Sequence, residues 1–269
     1  MGYYSLTRKG SCEVRSENIT LTEIPAPSPP PEFELMIPEN KTLDLWNTYY
    51  RALNESYLFP NEYVVRAFLG TYPNLDMKHD YRGAKVCDVS CGDGRNLVLL
   101  QKLGFELYAT EVSEEICEIT HKKLLAHSEH ISADIRKGLN GSLPFDDDFF
   151  DYMLSWNAFY YMPDEQSNIA EYVREYSRVL KSGGYLVVSV PRPGCFTLLG
   201  AEELGNDLIR IKTASKWDIL NGSIYYRFKS TKHIEAIFGS EFINFRHATI
   251  NDDCFGLPLE YSIFVCQKR

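Results

Sequence analysis

Residues 85–96, Lys-Val-Cys-Asp-Val-Ser-Cys-Gly-Asp-Gly-Arg-Asn, limit most strongly what this chain can fold into. An apolar run from Val86 to Val89 breaks at Gly92 and Gly94. A helical pattern follows at once, with Leu97, Leu99, Leu100 and Leu103, and stops at Gly104. Open α/β sheets use such a strand, glycine turn and helix to aim backbone N–H groups and a helix N-terminus at a ligand. A second strand, Glu106 to Val112, carries an acid near its end. Glu111 lies 19 residues after Gly92, near the spacing at which an acid reaches the hydroxyls of a bound ribose. The pattern predicts a cofactor that contains adenosine.

The glycines narrow the choice. A dinucleotide fingerprint needs a third glycine for close helix–strand packing around a pyrophosphate, and Leu97 occupies that place. A phosphate-cradling P-loop is excluded because no Gly-Lys-Ser/Thr follows the turn. S-adenosylmethionine, which has adenine and ribose but no pyrophosphate, fits. Here the chain resembles the class I S-adenosylmethionine-dependent methyltransferases. Their first motif, Asp/Glu-x-Gly-x-Gly-x-Gly, is matched by Asp88-Val-Ser-Cys-Gly-Asp-Gly94, with Ser90 where the family usually has glycine. Ala133-Asp134-Ile135 falls where the family places an acid near the adenine amino group. Leu143-Pro-Phe-Asp-Asp-Asp-Phe-Phe-Asp151 is similar to the family's approach to strand four. Arg178-Val-Leu-Lys-Ser-Gly-Gly-Tyr-Leu186 resembles its turn into strand five, with Ser182 replacing proline.

The resemblance implies a Rossmann-like, doubly wound α/β fold. Its seven strands would run in the order 3-2-1-4-5-7-6, with strand seven antiparallel. It also implies S-adenosylmethionine as methyl donor and S-adenosylhomocysteine as product. Gly92 and Gly94 would let the backbone approach closely, helped by Asp88, Ser90 and Asn96 around the same turn. Glu111 would take the ribose, and Asp134 would face the adenine amino group. Val112, Ile135 and Trp156 would be apolar walls, and Tyr50 part of an aromatic wall around the sulfonium, which a π face attracts.

Composition sets outer bounds. A chain of 269 residues suits one domain with a sizeable core and some length left over. No apolar run approaches the roughly 20 residues that a membrane helix needs, so no membrane partner is expected. The first residues contain no apolar stretch typical of a secretion signal, and a cytoplasmic protein is expected. A net charge of −9 without a basic run disfavours nucleic acid as substrate. Seven cysteines, an odd number without C-x-x-C pairing, predict buried reduced thiols and no metal. Oligomeric state is left open.

Along the chain, residues 1–40 read as a flexible arm containing Pro25-Ala-Pro-Ser-Pro-Pro-Pro31. The methyltransferase-like domain would span 41–269. Within it, residues 41–80 would form a helical cap, from the spacing of Leu45, Trp46, Tyr49 and Tyr50 and from a helix opening at Pro60-Asn61. Strands are expected near 84–89, 106–112, 130–135, 151–156 and 185–190, with an amphipathic helix from Pro163 to Leu180. Phe242 to Ile250 and Tyr261 to Gln267 would be the last two strands, after a short helix capped by Thr231. An extra stretch at 191–228 is too long for a plain connection and is read as a lid over the acceptor.

Methyl transfer from a sulfonium is an in-line displacement, driven by alignment and exclusion of water. It needs a general base only when the acceptor must lose a proton. No catalytic residue is therefore assigned. Acceptor contacts are assigned to Tyr160, Tyr161, Arg192 and Tyr226, with a small molecule as the acceptor, methylated at oxygen or nitrogen. Two alternatives stand beside this: a protein methyltransferase, and a non-catalytic protein that binds S-adenosylmethionine.

Overall fold

The structure, a computed structural model, describes residues 41–53, 58–128, 130–213 and 218–269. The expected arm at 1–40 lies outside the described residues. Helices α1 (Lys41–Ala52) and α2 (Glu62–Leu69) come first, then β1 (Lys85–Val89) and α3 (Arg95–Leu103). Next are β2 (Glu106–Glu111), α4 (Glu114–His127), β3 (Ala133–Lys137), β4 (Phe150–Ser155) and β5 (Tyr161–Met162). Helix α5 (Ile169–Val179) leads into β6 (Leu180–Pro191), and β7 (Glu202–Gly205), β8 (Leu208–Arg210) and β9 (Ile224–Tyr226) follow. The chain closes with α6 (Thr231–Phe238), β10 (Phe242–Cys254) and β11 (Leu257–Lys268).

The seven-stranded sheet has the order β3-β2-β1-β4-β6-β11-β10. β1, β2, β3, β4 and β6 pair in parallel, and β11 is antiparallel to both of its neighbours. This is the expected order. Val86, Cys87 and Val89 of β1 are all at most 1% exposed, as a strand covered on both faces requires. One apolar layer gathers Phe159, Tyr176, Phe238 and Phe264 under α5 and α6. The opposite layer gathers Phe68, Leu97, Leu100 and Tyr152 under α2 and α3. Each such side chain, fully buried, contributes about 1.5–3 kcal/mol.

Several boundaries differ from expectation. The third strand runs Ala133–Lys137 rather than 130–135, because a turn closed by Ile131 N donating to Ser128 O comes first. The long amphipathic helix begins at Ile169, not Pro163. Asp164 holds 164–167 in a turn by accepting from Gln166 N and Ser167 Oγ, and Asn168 then caps α5. Ser230, not Thr231, caps α6, accepting from His233 N at 3.2 Å. The 191–228 stretch contains strands of its own: β7, β8 and β9 form a second sheet with β5, in the order β5-β9-β8-β7. Leu208, Ile209 and Ile211 from this stretch join the main core.

The two N-terminal helices are tied to the sheet edge by polar contacts. Ser113 caps α4 by accepting from Ile116 N, and its hydroxyl donates to Asn47 Oδ1 of α1 at 2.6 Å. Arg51 of α1 clasps Glu115 of α4. Asn61 N, at the head of α2, donates to Asn96 Oδ1 of α3 at 3.1 Å.

Candidate cofactor and acceptor site

β1 leaves the sheet through a tight turn. Ser90 has φ 55°, Gly92 62° and Gly94 80°, all in the left-handed region. Glycine adopts such angles freely, whereas the Ser90 side chain makes them cost about 1–2 kcal/mol. The turn is laced to β2, with Ser90 N donating to Thr110 Oγ1 and Cys91 N to Thr110 O. From α4, Thr120 Oγ1 donates to Gly92 O at 2.5 Å.

Three buried carboxyls converge on this turn. Glu111, 3% exposed, ends β2 and accepts from Gly92 N at 2.6 Å and Val112 N at 3.0 Å. Burial raises its pKa to about 7, although the two backbone N–H groups pull the other way. Asp88 on β1 is 1% exposed, and its Oδ2 has no hydrogen-bond partner. Burial first, and then Glu111 and Asp93, push its carboxyl well above the usual range. Asp93 accepts from the guanidinium of Arg95 at 2.7 and 2.9 Å. A turn with this surplus of buried acceptors suits a ligand bearing hydroxyl donors or positive charge. Tyr50 of α1 closes over it: its phenol oxygen lies 2.6 Å from where a Cβ on Gly92 would stand.

Residues 87–188, from β1 to β6, match the family model described as a methyltransferase domain. The matched segment and the sheet order are like those of the class I S-adenosylmethionine-dependent methyltransferases. Methyltransferase GfsG of Streptomyces halstedii is 30% identical over 121 residues, 44% of this chain and 40% of that protein. The phthiotriol/phenolphthiotriol dimycocerosates methyltransferase of Mycobacterium tuberculosis is 30% identical over 135 residues, 48% of this chain and 45% of that protein. Both matches span less than half of the relative's length. A solved S-adenosylmethionine-dependent methyltransferase of Methanosarcina mazei shares the fold, with a TM-score of 0.54 at 18% identity. That match covers 74% of this chain and 98% of that one. The domain's family uses S-adenosylmethionine and releases S-adenosylhomocysteine.

The turn fits that cofactor. It offers no pyrophosphate cradle, it holds a buried Asp88 oxygen that lacks a donor, and it holds Glu111 at the level of the glycines. Asn96 opens α3 beside the turn, 5% exposed, and its Oδ1 accepts from Asn61 N. Val112 directly follows Glu111. Trp156 directly follows β4, with its indole Nε1 buried and without a hydrogen-bond partner. Asp134 departs from the expected position. It pairs with Tyr108, whereas Lys137 pairs with Glu111, so Asp134 sits three residues short of the edge, or about 10 Å. Its carboxylate is bound by Arg136, which also donates to Pro144 O. Ile135 points the other way from Asp134, into the core.

An aromatic assembly adjoins the turn. Trp46 of α1 meets the Tyr161 ring edge-on at 5.5 Å, and Tyr160 stacks on Tyr161 at 5.0 Å. Tyr225 of β9 donates its hydroxyl proton to Tyr161 Oη at 2.6 Å. Tyr226 gives this assembly only its backbone: its N–H donates to Tyr160 O, while its ring packs on Phe228 and His233. Tyr225, not Tyr226, is thus the neighbour of Tyr161, and only the alternation of β9 distinguishes them. The arginines of the insertion are engaged within the protein. Arg192 bonds Asn251 and lies 3.8 Å from Glu260, Arg210 pairs with Glu165 and Glu202, and Arg227 pairs with Glu203.

Proposed function

We propose that this chain transfers the methyl group of S-adenosylmethionine to a small-molecule acceptor, at oxygen or nitrogen, by in-line displacement. The observation that carries this reading is the meeting of two surfaces on one helix. Tyr50 of α1 abuts the glycine turn, and Trp46 of the same helix abuts the Tyr160–Tyr161–Tyr225 assembly. Cofactor-binding and acceptor-binding surfaces joined in this way supply the alignment and dryness that displacement at a sulfonium requires. Bound S-adenosylmethionine supplies an activated methyl group. Gly92, Gly94 and Glu111 would hold it, with Val112 and Trp156 beside it, Asp88 near its polar end and Tyr50 as lid. Tyr160 and Tyr161 would wall the acceptor.

The enclosure by large aromatic side chains favours a small molecule over a protein segment. The mycobacterial relative's name, which specifies phthiotriol and phenolphthiotriol dimycocerosates, agrees with such a class. The net charge of −9 argues against nucleic acid.

The test is methyl incorporation from labelled S-adenosylmethionine into a metabolite extract and, separately, into a protein extract. Label in the metabolite fraction supports the proposal. Label in protein alone would overturn the acceptor class, and cofactor binding without turnover would overturn catalysis.

A further inference from the structure

Asn157 stands one residue past Trp156, at the end of β4. Its φ is 56°, a left-handed conformation that asparagine tolerates but that still marks strain held in place by its surroundings. What holds it is a reciprocal clasp with β6. Asn157 N donates to Ser189 Oγ at 2.8 Å, and Ser189 Oγ donates to Asn157 Oδ1 at 2.8 Å. Ser189 is fully buried. Its hydroxyl has a single proton, and that proton is committed to Oδ1, which fixes the plane of the carboxamide. The Nδ2 donors are therefore turned away from Ser189. They have no hydrogen-bond partner among the described residues, and Asn157 is exposed.

The position matters as much as the pose. Leu154 pairs with Asp88 on one side and Val187 on the other, so β4 ends at the level where β1 enters its glycine turn. Asn157, three residues on, therefore stands just past that level, on the stretch that runs from Trp156 to Tyr160 and Tyr161. A clasp serving the backbone alone would need only the N–H of residue 157, and glycine would supply that without strain. The amide side chain adds an oriented pair of donors past the carboxyl end of β4, at the edge that carries the glycine turn.

The geometry points to Asn157 as an acceptor-binding residue that donates from Nδ2 to an oxygen of the methyl acceptor, whether hydroxyl, carbonyl or carboxylate. Ser189 is its positioning residue. The assignment rests on the methyl-transfer reading of this edge, and it narrows the acceptor to a molecule with an oxygen beside an aromatic-lined surface.

The test uses the whole chain saturated with S-adenosylhomocysteine, with phenol as an oxygen-bearing probe and toluene as its oxygen-free counterpart. Nuclear magnetic resonance follows the Asn157 side-chain amide pair, assigned by its loss in Asn157→Gly. Phenol is expected to shift this pair saturably. Asn157→Gly should weaken phenol binding about three- to tenfold, the worth of one hydrogen bond, and leave toluene and S-adenosylhomocysteine affinities unchanged. Ser189→Ala, which frees the amide to rotate, should also weaken phenol while sparing the cofactor product. Equal phenol affinity in wild type and Asn157→Gly, equal loss for phenol and toluene, or no phenol binding at millimolar concentration would each overturn the assignment. Failure of the wild-type chain to bind S-adenosylhomocysteine would instead overturn the methyl-transfer reading itself.

Discussion

The phenol oxygen of Tyr50 lies 2.6 Å from the point where a β-carbon on Gly92 would sit, so cap helix and glycine turn are fitted to each other at one atom. Gly92→Ala must overcome both this contact and a φ of 62°. We expect a stability loss of about 1–2 kcal/mol from the backbone alone, with weaker binding of S-adenosylhomocysteine. Adding Tyr50→Phe removes the oxygen and should recover part of the loss. Thermal unfolding of the two single variants and the double variant measures that coupling, and strict additivity would refute the contact.

Glu111 should make both stability and binding depend on pH. Burial raises its pKa from 4.5 to about 7, so folding favours the protonated carboxyl. Its contribution is whole below 4.5 and is lost as pH rises through about 7. Between about pH 5 and pH 8, wild type should lose roughly 2–3 kcal/mol relative to Glu111→Gln in urea unfolding. Ribose hydroxyls prefer the ionised form, so affinity for S-adenosylhomocysteine should rise over the same range. Glu111→Ala should weaken that affinity by roughly 1.5–3 kcal/mol. Unchanged binding in calorimetry would remove Glu111 from the ribose.

Asp134→Ala tests the register of β3. The carboxylate lies three residues below the edge and pairs with Arg136 on a half-exposed surface. Such pairs contribute about 0–1 kcal/mol. S-adenosylhomocysteine affinity should therefore stay within about twofold. A larger loss would bring Asp134 back to the adenine.

Tyr225→Phe removes the hydroxyl that donates to Tyr161 while keeping the ring in its fully buried place. We expect about 0.5–1.5 kcal/mol of lost stability, unchanged cofactor affinity and a raised KM for acceptor. Deleting the insertion is a poorer probe, since Leu208, Ile209 and Ile211 belong to the main core. A cofactor affinity that falls with Tyr225→Phe would contradict a role confined to the acceptor side.

All six described cysteines are free thiols, but only Cys254, at the β10–β11 turn, is exposed. Ellman titration of the folded protein should find it reacting fast, and Cys254→Ser should remove one fast-reacting thiol from the count. Unfolding without reductant should release seven thiols in total. Fewer than seven would reveal a disulfide.

The sequence by itself determined the strand–turn–helix unit at 85–103, the acid at the end of the second strand and the motifs whose resemblance implied the order of the sheet. Those features are written in contiguous residues: glycines where φ turns positive, apolar runs of the right period, a Ser113 cap before Glu114. Only the tertiary structure decided which neighbours those residues face. Whether Asp134 reaches the edge depends on the register between β2 and β3, made by side chains packed from other elements. Tyr225 and Tyr226 are equivalent in composition, and only the pleat of β9 against β5 turns the first toward Tyr161. Ser189 and Asn157 are 32 residues apart, and nothing in either segment announces their clasp. Local conformation follows from nearby residues, whereas register, facing and long-range polar pairing are set by how the sheet closes on its core.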